Sequence, residues 1–165
     1  MKYLIITLII FSSANAQKQY LNSDGTISSE YYRNVFLEAF KQNETDDSKY
    51  EMEDKFLVMI SKSECDNSVS NEDYQNKTFA ACISQLLTRI RAFQSIGFKD
   101  FEAAEFDGII FKTNYICSSE TRRYHFKFTI NELKNFPEYI DLDELYSYIV
   151  EKNHNSNIIY IKNSK

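Results

Sequence analysis

Reactive side chains are few in this chain, and their spacing limits what they can do. Three cysteines (Cys65, Cys82 and Cys117) and two histidines (His125 and His154) supply its thiols and imidazoles. A thiol nucleophile with an imidazole base needs both groups on one surface. In "RYHFKFTI", 123–130, His125 alternates with the apolar residues and keeps company with Arg123 and Lys127. In "IIFKTNYIC", 109–117, Cys117 instead shares its side with Ile109, Phe111 and Tyr115. The alternation separates the two groups, so a Cys117–His125 nucleophile is not expected. His154 sits in "NHNSN", a helix-ending loop, and reads as solvent-facing.

Metal chemistry has little more to work with. No cysteine pair has C-x-x-C spacing, and one cysteine in each of three elements with two histidines makes a poor zinc set. The stretch "YLNSDGTISSEYY", 20–32, has the outline of a calcium loop in Asn22, Asp24, Gly25 and Glu30. With Gly25 on the sixth position of an EF-hand loop, the first and twelfth ligands fall on Tyr20 and Tyr31. Neither is a carboxylate. The stretch reads better as a turn at Asp24–Gly25, then a helix capped by Ser28 with Glu30 in its first turn and Ile27 packing on Tyr32. Asp141, Asp143 and Glu144 are acids at a helix start, where the dipole favours them. No cofactor or metal is expected.

The candidate binding residues are cations. Lys112, Arg123, His125 and Lys127 form a stripe on the sheet face away from the helices, which in an acidic protein marks a docking surface for an anionic ligand or partner. The competing expectation pairs them with acids of the first helix, such as Glu30 and Glu38, or leaves them solvated. The polar loop "KSECDNSVSNEDYQNK", 62–77, is a second candidate contact.

The elements that must position these residues follow from periodicity. Tyr32, Val35, Phe36, Ala39 and Phe40 make one helical stripe ending near Gln42, and 43–55 reads as an acidic connector. "FLVMIS", 56–61, reads as a strand. From Thr78 a helix buries Phe79, Cys82, Ile83, Leu86, Ile90 and Phe93, with Gly97 placed to end it. Residues 98–107 are ambiguous between a short helix and a strand. Strands follow at 109–117 and 123–130, joined by "SSET". The last helix opens either with Pro137 in its first turn or with Asp141 as its cap and Glu144 reaching back, and buries Leu142, Leu145, Tyr146 and Ile149. "IIYIK", 158–162, closes the chain as a strand.

After the first helix the order is βαββαβ. The expectation is therefore an α+β fold, a helix followed by a ferredoxin-like, split-βαβ antiparallel sheet with helices packed on it. An extra strand at 100–106 is the rival arrangement. The first helix then lies across the open sheet face, docks at a sheet edge, or docks on a second copy. This fold gathers the three cysteines at one edge. Cys82–Cys117 is the first expected disulfide, Cys65–Cys82 the second, and three unbridged thiols the remaining possibility.

Composition and termini set the setting. "MKYLIITLIIFSSANA" has a positive start, an apolar run from Tyr3 to Phe11 and a small-x-small end, a secretory signal peptide cut between Ala16 and Gln17. The run is far shorter than the ~20 residues that span a bilayer. The net charge is −5; removing Lys2 leaves 18 Lys and Arg against 24 Asp and Glu, or −6. That balance argues against nucleic acid or an anionic membrane as partner. Residues 17–165 suit one domain without a membrane span. Asn43-Glu44-Thr45 and Asn76-Lys77-Thr78 fit the glycan acceptor pattern. The expected function is a secreted or periplasmic, non-enzymatic domain that binds a protein or small ligand. A thiol-dependent redox factor or enzyme using one cysteine is the alternative, and an inhibitor or immunity-type partner a third.

Overall fold

Ser28 opens the first helix as expected. Its hydroxyl accepts from the Tyr31 amide at 3.3 Å, and α1 runs Ser29–Lys41. The computed structural model describes residues 21–64, 71–117, 120–152 and 159–162. The leader, its Ala16–Gln17 junction, Cys65 and His154 lie outside the described residues.

Beyond α1 the connector expected at 43–55 contains a strand. β1 spans Ser48–Glu53, and its half-buried Ser48, Tyr50 and Met52 alternate with exposed Lys49, Glu51 and Glu53. Charge on every second residue suits an edge strand, whose outer side must not attract a further strand. Asp54 and Lys55 turn the chain tightly, Asp54 taking φ +55°, into β2, Phe56–Glu64. α2 runs Asn71–Ile96, so it starts earlier than Thr78 and takes up much of the expected polar loop. Gly97 ends it at φ +84°, a conformation other residues adopt only with strain. The ambiguous 98–107 stretch resolves as the short helix α3, Lys99–Ala103. β3 (Gly108–Ile116) and β4 (Glu120–Thr129) follow. Thr129 and Glu132 then form a reciprocal cap for the short helix α4, Ile130–Lys134. Asp141 and Glu144 cap α5, Leu142–Lys152, each amide donating to the other's carboxylate at 3.3 and 2.8 Å. β5 is Ile159–Lys162.

The fold is α+β, but the sheet is mixed and lacks the split-βαβ order. Its five strands lie in sequence order, β1 to β5. β2 and β3 are direct parallel neighbours, with Leu57 on Ile109 and Val58 on Ile110, whereas the split arrangement would insert β4 between them. The physical reason is legible in side chains. "FLVMI" and "GIIF" are apolar on both faces, as central parallel strands are, and burial follows, with Val58 at 1 % and Ile110 at 6 % exposed. The alternating strands β1 and β4 then pair antiparallel on either side.

One face of this sheet carries the core. Leu57, Ile109, Phe111, Phe126 and Phe128 cluster with Ile83, Leu86, Ile90 and Phe93 of α2, with Phe101 of α3, Leu133 of α4, and Leu145 and Ile149 of α5. α1 joins the same side. Its Phe40 ring lies 5.9 Å from Phe93 and 5.2 Å from Tyr50, and Phe36 lies 5.4 Å from Phe101. Arg33 fastens it by donating to the Ala104 carbonyl at 2.8 Å. The first helix therefore does not cross the open sheet face. Its half-buried Phe36 and Phe40 find partners beside α2 and α3. No helix of the described residues is long and apolar enough to cross a membrane.

Candidate functional site

The second sheet face has no described helix on it. Alternation decides which residues reach it, and strand register decides their neighbours. One row across β1–β4 reads Lys49, Ile60, Lys112, His125, and the next reads Glu51, Val58, Ile110, Lys127. Beyond these, Lys62, Asn114 and Arg123 align on one side, and Glu53, Phe56, Gly108 and Thr129 on the other. All four residues of the expected stripe (Lys112, Arg123, His125 and Lys127) thus stand on this face, on two neighbouring strands.

Their surroundings differ. Lys112 donates to Glu53 of β1 at 2.6 Å, reaching across β2, so the expected pairing with Glu30 or Glu38 does not form. Glu38 pairs with Lys41 of its own helix at 3.1 Å instead. The Lys112 hydrogen bond is the main cause holding the Glu53 carboxyl below its usual range; Lys127 and His125 assist. Lys127 places its ammonium 3.9 Å from the centre of the Phe56 ring, and that ring covers Gly108. Arg123 is exposed and makes no ion pair among the described residues. His125 is half-buried; burial first, then the charges of Lys112 and Arg123, lowers its pKa, against a small pull from Glu53.

Sequence reasoning missed Glu53 and Phe56 as members of this site. The signal was the two-residue alternation in "SKYEME", hidden by its charge.

The thiols are placed otherwise than expected. Cys82 is a buried free thiol, so neither Cys82–Cys117 nor Cys65–Cys82 is formed. Cys82 hydrogen-bonds with Thr113 in the middle of β3, whereas Cys117 follows the last residue of that strand, Ile116. Burial pushes the Cys82 thiol up to about 12, with Thr113 and Arg89 pulling weakly the other way. Thr113 also takes hydrogen bonds from Ser61 and Arg89, both at 3.2 Å, which satisfies polar groups under α2.

The calcium-like stretch turns the chain. Asp24 accepts from the Thr26 hydroxyl at 2.6 Å and its amide at 2.9 Å, which lowers its pKa, and Gly25 takes φ +82°. Leu21 bridges to Ile27 across this turn. No group of three or more His, Cys, Asp or Glu among the described residues is placed to hold a metal. Tyr139, 87 % exposed, stands over a shallow cleft with Leu87, Arg91 and Ile140, on the helical side.

Comparison with models of protein families, with curated proteins and with solved structures returns no match for this chain.

Proposed function

We propose that this chain is an exported, non-enzymatic binding domain whose contact surface is the sheet face opposite its described helices. The supporting observation is one-sided packing. Every helix from α1 to α5 contributes to the core on one side, while the other side presents Lys112, Arg123, His125 and Lys127 beside Glu51 and Glu53. A broad, rigid strand surface with exposed charges suits recognition of a complementary protein surface, where charge sets orientation and partner choice. An inhibitor or immunity-type role is one form of this reading. Export rests on the leader and its cut between Ala16 and Gln17. A thiol mechanism at Cys82 is disfavoured, because a buried thiol at about 12 yields little thiolate near neutral pH.

The test is capture by the mature chain, residues 17–165, from medium and envelope extracts of the native culture. A Lys127→Glu, Arg123→Glu variant serves as control. Supporting the proposal would be a protein retained by the unaltered chain, lost from the variant, and released by salt. Equal retention by both, or substrate turnover abolished by Cys82→Ser, would overturn it.

A further inference from the structure

The face carries both charges, unevenly placed. Glu51 and Glu53 stand with Lys49 on β1 at one edge, Glu53 already paired with Lys112, while Arg123 and Lys127 stand on β4, three strands away. Val58 and Ile110 between them are already buried, so charge and not apolar area must carry any contact made here. A surface more acidic at one end and cationic at the other matches its own image turned over.

We infer that the sheet face opposite the described helices docks on the same face of a second copy of this chain, about a twofold axis parallel to the strands and midway between β2 and β3. The inference rests on the reading of this face as the contact surface, and names its partner. Such an axis keeps each cross-strand row at its own level and exchanges β1 with β4 and β2 with β3. Glu51 then opposes Lys127 of the second copy, and Val58 opposes Ile110 of the second copy. Symmetry makes every contact twice. One row above, Lys49 comes level with His125 of the second copy. Two rows above, exposed Asp47, just ahead of β1, comes level with Arg123 of the second copy, which makes no ion pair among the described residues. The other in-plane axis, running across the strands, sets β4 on β4 and cation against cation. Charge therefore selects one of the two symmetric arrangements.

The size of the face sets the strength. Four strands ~4.8 Å apart, with seven residues at ~3.3 Å, offer a footprint of about 19 by 23 Å. That is smaller than the ~800 Å² per partner of a standard interface. The dimer is accordingly reversible, and salt loosens it by screening its charge pairs.

Sedimentation velocity of the mature chain from micromolar to millimolar concentration reads this directly. The expected result is a dimer fraction that grows with concentration and shrinks in 1 M salt. Glu51→Lys or Lys127→Glu alone should weaken the association roughly tenfold or more, because each change turns two attractions into repulsions. The combined Glu51→Lys, Lys127→Glu chain should recover dimerisation. Both residues are exposed, and circular dichroism of each variant verifies that it is folded. A chain monomeric throughout, or a dimer indifferent to both single changes, or single losses that the combination does not repair, overturns the proposal. If the chain stays monomeric while capture of another protein still depends on Arg123 and Lys127, the binding-face reading stands and self-association alone falls.

Discussion

Gly108 is the position where one added carbon should do most damage. A Cβ there would stand 1.9 Å from the Phe128 carbonyl oxygen and 2.7 Å from the Phe56 ring. The ring can swing aside, but the carbonyl is backbone in a paired strand. Restoring ordinary contact requires β4 to move back by roughly 1.5 Å beside the Gly108–Thr129 pair, which parts the ladder at its start. Overpacking a well-filled site costs about 1–3 kcal/mol, and a clash with backbone belongs at the top of that range or above it. Urea denaturation of the mature chain measures the effect. With a slope of ~1–3 kcal/mol per molar, a loss of about 3 kcal/mol lowers the midpoint by about 1–3 M. Gly97→Ala is the control, because its Cβ would meet nothing within 4 Å and its cost is only the strain of φ +84°, about 1 kcal/mol. If Gly108→Ala is as stable as the unaltered chain to within about 0.5 kcal/mol, or loses less than Gly97→Ala, the close approach of β3 to β4 is wrong. The same variant should disturb the binding face, because the Phe56 ring that covers Gly108 also carries Lys127.

Two further outcomes are expected. His125 is held neutral in the fold, by burial first and then by Lys112 and Arg123, so the unfolded chain takes up its proton at a higher pH, near the ordinary 6.5. Folding stability should therefore decline as pH drops below 6.5 and level off beneath the lowered value; His125→Gln should flatten that part of a urea-midpoint profile, and an unchanged profile would refute the assignment. For the cysteines, the last register pair of β2 and β3 is Glu64 with Ile116, and in the sequence Cys65 follows the one as Cys117 follows the other. With Cys82 free, non-reducing peptide mapping should recover Cys65 joined to Cys117, and Cys82 should alkylate only in denaturant; three alkylated thiols, or a bridge through Cys82, would contradict this.

The binding face and the core are two consequences of the same strand pattern. Where a strand alternates, as β4 does, Tyr124, Phe126 and Phe128 go to the helices and Arg123, His125 and Lys127 to the other face. Where it is apolar on both sides, as at Ile109 to Phe111, the strand sits centrally and its outer residues need cover from longer neighbours. The Lys112–Glu53 and Lys127–Phe56 contacts each join strands two apart across this face, so the stripe ties the sheet together as well as presenting charge.

Local rules alone were enough for the short-range features. The Ser28 cap, the Asp24–Gly25 turn and the Gly97 stop each depend on hydrogen bonds or dihedrals within a few residues, and all are readable in the chain; the Asp141–Glu144 box was one of two openings that the residues allowed. The side on which Lys112, Arg123, His125 and Lys127 fall was equally legible, because alternation is a property of the strand itself. Strand order was not. Whether β3 lies directly beside β2 or with β4 between them depends on which long-range contacts bury most, and residue order does not encode that choice. The same holds for β1, whose charged alternation makes a strand only once β2 lies beside it, and for α1, whose aromatic stripe had several surfaces to choose from. Thiol pairing also waited on the tertiary structure, since Cys82 is held there as a buried free thiol against Thr113. What a few neighbouring residues can satisfy was decided by sequence alone; what requires elements distant in the chain to compete for the same buried surface was decided only by the folded whole.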